Sequence, residues 1–252
     1  MVRRRMGTGG TSTQLRETGI IIFARLDSNR LPGKALLPIQ GRAMLGRVID
    51  RAKRVKANFP IVVATSSRRV DDDIANFVQN EGIAVYRGDT NDVANRAFQC
   101  AREFKFERFV RISGDSPFFD TALISRLVQL HLDGNLDLAT NILTRTYPPG
   151  SSIEVIATQA MKTLLEATND ADDCEHVTKY FYNNPMDFKI ADVRAGPGEF
   201  SGVSLVVDTP DDLERAVWLI ANAGKDPAGL AMKTYAAMAV NWPGPRMQPG
   251  SE

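Results

Sequence analysis

An α/β fold with a mostly parallel central sheet is predicted by two alternating hydrophobic patterns. Four short apolar runs, rich in β-branched residues, indicate strands at residues 19–24, 61–64, 83–86 and 109–112, the first two of them buried. Apolar residues at helical spacing follow each run, so strand–helix units recur four times before residue 130. This repetition is typical of a doubly wound sheet with helices on both faces.

The second half of the chain has a less regular pattern. Residues 136–139 predict a further strand, and a long polar turn over residues 145–152 precedes another at residues 153–156. Residues 203–207 predict the last strand. A helix is expected to begin at Pro210, because proline suits a first helical turn and acidic residues stabilise the positive helix end.

Composition bounds the class of protein. The chain has 252 residues, of which 43% are hydrophobic and 24% charged, so it can bury one substantial core. A net charge of +1 argues against a nucleic-acid binder. No apolar segment has the length of a signal peptide or a membrane span, so we expect a cytoplasmic protein with no membrane partner. Cys100 and Cys174 are expected to be reduced thiols.

The loop after the first predicted strand, Ala24–Lys34, carries three cations: Arg25, Arg30 and Lys34. Loops at the carboxyl ends of central strands are where open α/β sheets bind ligands. Arginine forks, a lysine point charge and the backbone of a Pro-Gly turn suit a triphosphate, although a basic surface loop is the simpler alternative. The loop is not a Walker loop, and no GxGxxG motif follows the first strand.

Two aspartates, Asp115 and Asp208, each end an apolar run. In a parallel sheet such ends lie at one edge, and Mg²⁺ is typically held by one or two carboxylates together with substrate phosphates. Each residue has a structural alternative, since Asp115 could cap a turn and Asp208 could cap the following helix. Neither has an obvious cationic neighbour in sequence, so we expect them to share one divalent ion.

The loop resembles the signature A-R-x-x-S-x-R-L-P-x-K of the cytidylyltransferases that make CMP-activated acid sugars. It is most similar to the spore coat polysaccharide type, and more distantly to CMP-Kdo and CMP-sialic acid synthetases. The resemblance continues in order over residues 19–223, through the segments Ile61–Thr65, Gly114–Pro117, Arg145–Pro148, Glu175–Thr178 and Val207–Glu214.

This resemblance implies a Rossmann-like fold of the nucleotide-diphospho-sugar transferase (GT-A-like) kind. Residues 19–224 would form the cytidylyltransferase domain, in which residues 141–195 would be a sugar-side arm that packs against a second subunit in a homodimer. Residues 1–18 are predicted to be a disordered tail. Residues 225–252 are predicted to form a C-terminal helix and a flexible tail.

The function implied is transfer of CMP from CTP to an anionic 2-keto acid sugar, with release of pyrophosphate and with Mg²⁺ as the cofactor. The residues expected to be catalytic are Arg25, Lys34 and Asp115, and those expected to hold the metal are Asp115 and Asp208. The expected nucleotide-binding residues are Ala24, Arg25, Leu26, Ser28, Arg30, Lys34, Ala64, Thr65, Arg96, Gly114 and Asp115. The expected acceptor-binding residues are Arg145, Tyr147, Glu154, Glu175 and His176.

Several of these assignments have alternatives. Arg96 could be a solvated helix residue, and His176 could be packed among aromatic side chains on one helix with Tyr180–Tyr182. Pro149 and Ser152 stand where related proteins often carry acids, so a nonulosonic acid, a Kdo-like acid and a phosphonate all stay open as acceptors. A glycosyltransferase or sugar-1-phosphate nucleotidyltransferase of the same fold, or a non-catalytic nucleotide-binding subunit, are the alternative functions.

Overall fold

The computed structural model describes residues 17–245, so the predicted tails at residues 1–16 and 246–252 lie outside the described residues. The strands are β1 (Thr18–Phe23), β2 (Pro38–Ile39), β3 (Arg42–Ala43), β4 (Ile61–Ser66), β5 (Ala84–Gly88), β6 (Arg108–Ser113), β7 (Leu138–Thr140), β8 (Glu154–Ala157) and β9 (Ile190–Asp192). The α-helices are α1 (Met44–Ala52), α2 (Asp72–Asn80), α3 (Val93–Glu103), α4 (Thr121–Gly134), α5 (Thr158–Ala167), α6 (Ala171–Glu175), α7 (Lys179–Asn183), α8 (Pro210–Ala221) and α9 (Met232–Val240).

Seven strands form one sheet in the order β5-β4-β1-β6-β8-β7-β9, and β2 pairs only with β3 in a small hairpin. Strands β4 and β6 run parallel to β1, and β5 runs parallel to β4. Strand β8 is antiparallel to both of its neighbours, β6 and β7, whereas β9 is parallel to β7. The predicted mostly parallel sheet is therefore confirmed.

The helices cover both faces of the sheet, as predicted, because successive side chains of a strand point to opposite faces. Ile20 and Ile22 of β1 pack with α1, α2 and α4 in one cluster. Ile21, between them, packs with α3, α5 and α7 on the other face. A third apolar cluster joins helices α8 and α9 to Phe118 and to the extended chain at Leu205.

The connections place β1 at the point where the strand order reverses. From β1 the chain runs outward through β4 to β5, and it then crosses to the opposite side of β1 to form β6. Ligands of open α/β sheets bind in the crevice at such a reversal, beyond the carboxyl ends of the strands. The loops that leave β1 and β6 are therefore the ones that form the site.

Some predicted elements differ from the structure. Residues 203–207 are an extended segment outside the sheet, whose Leu205 amide donates to the carbonyl of Pro149, 2.8 Å away. Strand β9, at the edge of the sheet, is a further difference, because its three half-buried residues form no apolar run that would predict a strand. Strand β1 begins at Thr18, inside the predicted tail. In the region 141–195, α5 and α6 pack against α3 of the same chain.

Arg51 joins the C-terminal segment to the sheet layer from inside the protein. Its side chain is 2% exposed, and its guanidinium donates to the carbonyl oxygens of Phe119 and Ala228. Its Cζ also lies 5.5 Å from the centroid of the Tyr235 ring. Burial lowers the pKa of this guanidinium, which no carboxylate contacts directly within residues 17–245.

Arg51→Met is expected to lower the free energy of unfolding by about 2–4 kcal/mol, because two buried carbonyls lose their donor. Urea unfolding followed by circular dichroism measures this change. Arg54→Met is the matched control. Its ion pair with Asp226 is more than half exposed, so we expect a loss of at most about 1 kcal/mol there. Equal losses in the two variants would contradict the structural role of Arg51.

No helix within residues 17–245 is both long enough and apolar enough to cross a membrane.

Candidate active site

A cleft of about 450 Å³ opens where β1 and β6 end, at the reversal of strand order. Polar and charged side chains dominate its lining. The residues that line it are Phe23, Ala24, Arg25, Asp27, Ser28, Asn29, Arg30, Lys34, Ala35, Val93, Arg96, Arg111, Ser113, Gly114, Asp115, Glu175, His176 and Asp208.

The close approach of β1 and β6 at the cleft depends on Gly114. Its amide donates to the carbonyl of Phe23 at 2.7 Å. A Cβ atom at this position would lie 2.9 Å from that same carbonyl oxygen and 2.9 Å from the Cβ of Ala24. Only glycine fits without moving the backbone, so the contribution of Gly114 to the cleft is its lack of a side chain.

Hydrogen bonds hold the loop that follows β1 in shape. The amide of Leu26 donates to Oδ1 of Asp71 at 2.8 Å, and Asp71 is itself buried and accepts from Ser66. The amide of Gly33 donates back to the carbonyl of Leu26 at 3.0 Å, with a positive φ of 69° that favours glycine. The loop cations are therefore presented on a fixed backbone.

Lys34 lies between the two aspartates. Its Nζ contacts a carboxylate oxygen of Asp115 and lies 2.5 Å from Oδ1 of Asp208. Arg30 contacts the second oxygen of Asp208 at 2.6 Å. The two carboxylates therefore converge, as the sequence predicts, and the cations that contact them are distant in sequence. Burial lowers the pKa of Lys34, but the two carboxylates outweigh that effect and leave the pKa raised.

The helix-capping alternative for Asp208 has no support in the structure. Helix α8 is capped by Thr209, whose hydroxyl oxygen accepts from the amide of Asp212. The Asp212 carboxylate in turn accepts from the amides of Thr209 and Asp208. The carboxylate of Asp208 is thus directed to Lys34 and Arg30 rather than to the helix.

Helix α6 brings two more predicted residues to the cleft. Glu175 lies 3.3 Å from Nη2 of Arg25, in an exposed ion pair. His176 follows the end of α6, and its Nε2 lies 3.2 Å from Oδ1 of Asp172. The predicted single helix with Tyr180 is wrong, because α6 ends at Glu175 and α7 begins at Lys179. The break leaves the imidazole exposed at the cleft.

Arg96 is a buried cation without an ionic partner. It is only 3% exposed, although it lines the cleft. One nitrogen donates to the carbonyl of Asp89 at 2.7 Å, Nε has no acceptor, and no ion pair within residues 17–245 includes it. Burial lowers its pKa, and repulsion from Arg25 lowers it further. Buried charges are normally paired, so this arrangement favours binding of an anion, and the solvated-residue alternative is wrong.

Arg111 was missed by the sequence prediction, and it changes the interpretation of Glu154. Glu154 is fully buried on β8 directly opposite Arg111 on β6, and the two side chains form an ion pair. Glu154 therefore cannot contact the acceptor as predicted, whereas Arg111 lines the cleft. A signal was available, because Arg111 is the one charged residue among the apolar residues 109–112.

The remaining predicted residues lie outside the cleft lining. Ala64 and Thr65 are fully buried in β4, and Leu26 contributes its amide to the loop fold. Arg145 and Tyr147 line a second cavity of about 400 Å³, where Tyr147 stacks on Phe200 with ring centroids 5.8 Å apart. The prediction that both contact the acceptor in the same cleft does not match these positions, because the polar turn that carries them packs on the segment around residue 200.

A doubly wound sheet with a cationic cleft at its reversal point, two convergent aspartates and a pre-shaped cationic loop is typical of nucleotide-binding α/β proteins, among them the nucleotidyltransferases. Residues 19–228 match the model of the family described as "Cytidylyltransferase". The chain belongs to the cytidylyltransferase family.

Its relatives include proteins of two kinds. The spore coat polysaccharide biosynthesis protein SpsF of Bacillus subtilis is 31% identical over 215 residues, which cover 82% of this chain and 88% of that protein. The 3-deoxy-manno-octulosonate cytidylyltransferase of Neisseria meningitidis is 30% identical over 193 residues, or 75% and 70% of the two chains. A solved cytidylyltransferase from Leptospira borgpetersenii superposes with a TM-score of 0.84 at 27% identity, covering 89% of this chain and 94% of that one.

Proposed function

We propose that this enzyme transfers CMP from CTP to an anionic 2-keto acid sugar and releases pyrophosphate. The observation that carries the proposal is the concentration of five cationic side chains around one cleft that also contains two convergent carboxylates. The five are Arg25, Arg30, Lys34, Arg96 and Arg111. Four of them pair with carboxylates of the protein, whereas Arg96 forms no ion pair within residues 17–245, so a bound anion would supply its missing partner. The names of the relatives support a cytidine nucleotide and an acid sugar.

The chemistry requires charge stabilisation more than a covalent nucleophile. A sugar hydroxyl attacks the α-phosphorus of CTP, the bond to the β-phosphate oxygen breaks, and negative charge grows on the phosphate oxygens. Lys34, at the centre of the cleft, binds the phosphates and stabilises this charge. Arg25 and Arg30, on the same fixed loop, bind the triphosphate, and the buried Arg96 gains the anionic partner that it lacks in the protein.

The two aspartates fit a magnesium ion. Both carboxylates reach the Nζ of Lys34, so their oxygens converge on a single point, where Mg²⁺ would take the place of that ammonium group. Carboxylate oxygens are ligands that Mg²⁺ prefers. Within residues 17–245 no three acidic, histidine or cysteine side chains gather as a metal cluster, so substrate phosphates would complete the coordination. Held by Asp115 and Asp208, Mg²⁺ would neutralise phosphate charge during transfer.

The acceptor enters beside α6, where Glu175 and His176 present exposed polar groups to the cleft.

A homodimer in the cytoplasm is also part of the proposal. The arm at residues 141–195 exposes Met186 and Leu143 as apolar contacts for a second copy. Cys100 and Cys174 are unpaired thiols, which suits a reducing compartment.

Pyrophosphate release tests this function, measured with each of the four nucleoside triphosphates against 2-keto acid sugars, phosphonates and neutral sugar 1-phosphates. We expect turnover with CTP and an acid sugar. Equal turnover with UTP or GTP would contradict the nucleotide assignment. Turnover with sugar 1-phosphates alone would make the protein a sugar-phosphate nucleotidyltransferase, and binding of CTP without turnover of any acceptor would make it a non-catalytic subunit.

A further inference from the structure

Arg111 also lines the cleft, on strand β6 rather than on the loop that carries Arg25, Arg30 and Lys34. It lies two residues before the end of β6, and its guanidinium carbon is 5.9 Å from the centroid of the Phe23 ring, which also lines the cleft. Aromatic faces attract guanidinium groups, so Phe23 stabilises the guanidinium of Arg111 at the cleft. Lys34 and Arg30 lie instead where Asp115 and Asp208 converge.

A buried network fixes the orientation of Arg111 from behind. One oxygen of Glu154 accepts from Nη1 of Arg111, and the other accepts from the Tyr182 hydroxyl at 2.5 Å. That hydroxyl also lies 3.0 Å from Oγ1 of Thr140. Both oxygens of the buried carboxylate are satisfied, and burial and Glu154 together raise the pKa of Tyr182, so the phenol keeps its proton. Glu154 and Tyr182 are thus positioning residues.

The network leaves one edge of the guanidinium without a protein partner. Only Nη1 is used by Glu154, and Nε is buried without any acceptor in the described protein. Because Nε is buried, Nη2 is the donor left for a ligand in the cleft, where it can form a charge-assisted hydrogen bond to a carboxylate oxygen.

We propose that Arg111, held by Glu154 and Tyr182, binds the carboxylate of the acceptor and determines the preference of the enzyme for acid sugars. This inference rests on the proposed transfer to an anionic sugar. The triphosphate is a less suitable ligand, because the loop cations Arg25, Arg30 and Lys34 are proposed to bind it. Arg111 instead pairs with β8, on the side of β6 away from β1. An acceptor held there directs its hydroxyl towards the phosphates at Lys34.

The test compares protein variants with acceptor analogues. Arg111→Gln alone leaves Glu154 buried without its cation, so the double variant Arg111→Gln/Glu154→Gln, which removes both charges, is measured beside it. Arg102→Gln is the matched control, because Arg102 also stacks on a phenylalanine but is exposed on α3. Each protein is titrated with CTP. Each is then assayed with a 2-keto acid sugar, such as 3-deoxy-manno-octulosonate, and with the carboxamide of the same sugar.

The wild-type enzyme and Arg102→Gln are expected to prefer the acid over the carboxamide by about 10²-fold in kcat/KM, because the carboxamide cannot form the charged hydrogen bond with Arg111. In the double variant this preference should fall to a few-fold, through a higher KM for the acid, while the Kd for CTP stays within a few-fold. A double variant that binds CTP normally and keeps the preference would overturn the assignment of Arg111. Loss of CTP binding with the preference retained would make Arg111 a nucleotide residue.

A different result would overturn the proposed function itself. Wild-type enzyme that neither binds nor converts any acid sugar overturns the proposed function, and the carboxylate assignment with it.

The variant Tyr182→Phe tests whether Tyr182 positions Arg111. It removes one hydrogen bond behind Arg111, so we expect the KM for the acid to rise by several-fold without change in the Kd for CTP. An unchanged KM would show that Tyr182 does not position Arg111.

Discussion

Lys34→Met is expected to lower kcat by about 10²-fold or more, the size of effect seen when one charge-stabilising donor is removed from an active site. Methionine keeps most of the length of the side chain but loses the ammonium group that contacts Asp115 and Asp208. Pyrophosphate release at saturating CTP measures the effect. Lys162→Met is the control, because its side chain is half exposed and pairs with Glu166 on the same helix, α5.

The same variant should bind Mg²⁺ differently in the absence of nucleotide. Lys34 competes with any cation for the two carboxylates, so its removal leaves them facing each other with only Arg30 nearby. Converging carboxylates repel and favour a divalent ion between them. We therefore expect Lys34→Met to bind Mg²⁺ more tightly in calorimetry while it turns over slowly. A near-normal kcat would show that Lys34 is not catalytic.

Asp208→Asn and Asp115→Asn are each expected to raise the Mg²⁺ concentration for half-maximal activity by about tenfold or more, since each removes one of two charged metal ligands. Asparagine keeps the shape of the side chain, so the melting temperature should change little. The measurement is activity at saturating CTP during a Mg²⁺ titration. Asp211→Asn, an exposed change at the start of α8, is the control.

The Mg²⁺ titration distinguishes two possible arrangements of the metal site. An unchanged Mg²⁺ dependence in Asp208→Asn would leave Asp208 as a partner of Lys34 and Arg30 only. The metal site would then be assigned to Asp115 with the substrate phosphates. An unchanged dependence in both variants would contradict the proposed metal site altogether.

The buried parallel strands could be predicted from sequence because each is a local apolar run. The position of the loop Ala24–Lys34 followed directly, since a loop after a central strand must emerge at the carboxyl edge. The segment before Asp208 has the same apolar character, but it packs against α8 and α9 instead of joining the sheet. Sequence alone could not separate these two environments.

Contacts across long distances in sequence explain the other differences. The contact of Lys34 with Asp208 joins residues 174 positions apart, so no local pattern reveals it. The burial of Glu154 depends on its antiparallel register with Arg111. Arg145 lies near Tyr147 and the glycine-rich chain around residue 200, because that turn folds away from the cleft. Motifs predicted which residues carry charge, but only the fold decides which of them meet.

The central position of β1 has a consequence for the order in which the chain is synthesised. Strand β1 and its cationic loop leave the ribosome first, but the neighbour β6 begins only at Arg108 and the partner of Lys34 arrives at Asp208. Pairings between distant segments form slowly, and incomplete chains expose apolar strand edges. A nascent chain that ends before residue 208 therefore carries the loop with only part of its neutralising charge. The cleft is complete only after Asp208 has been made.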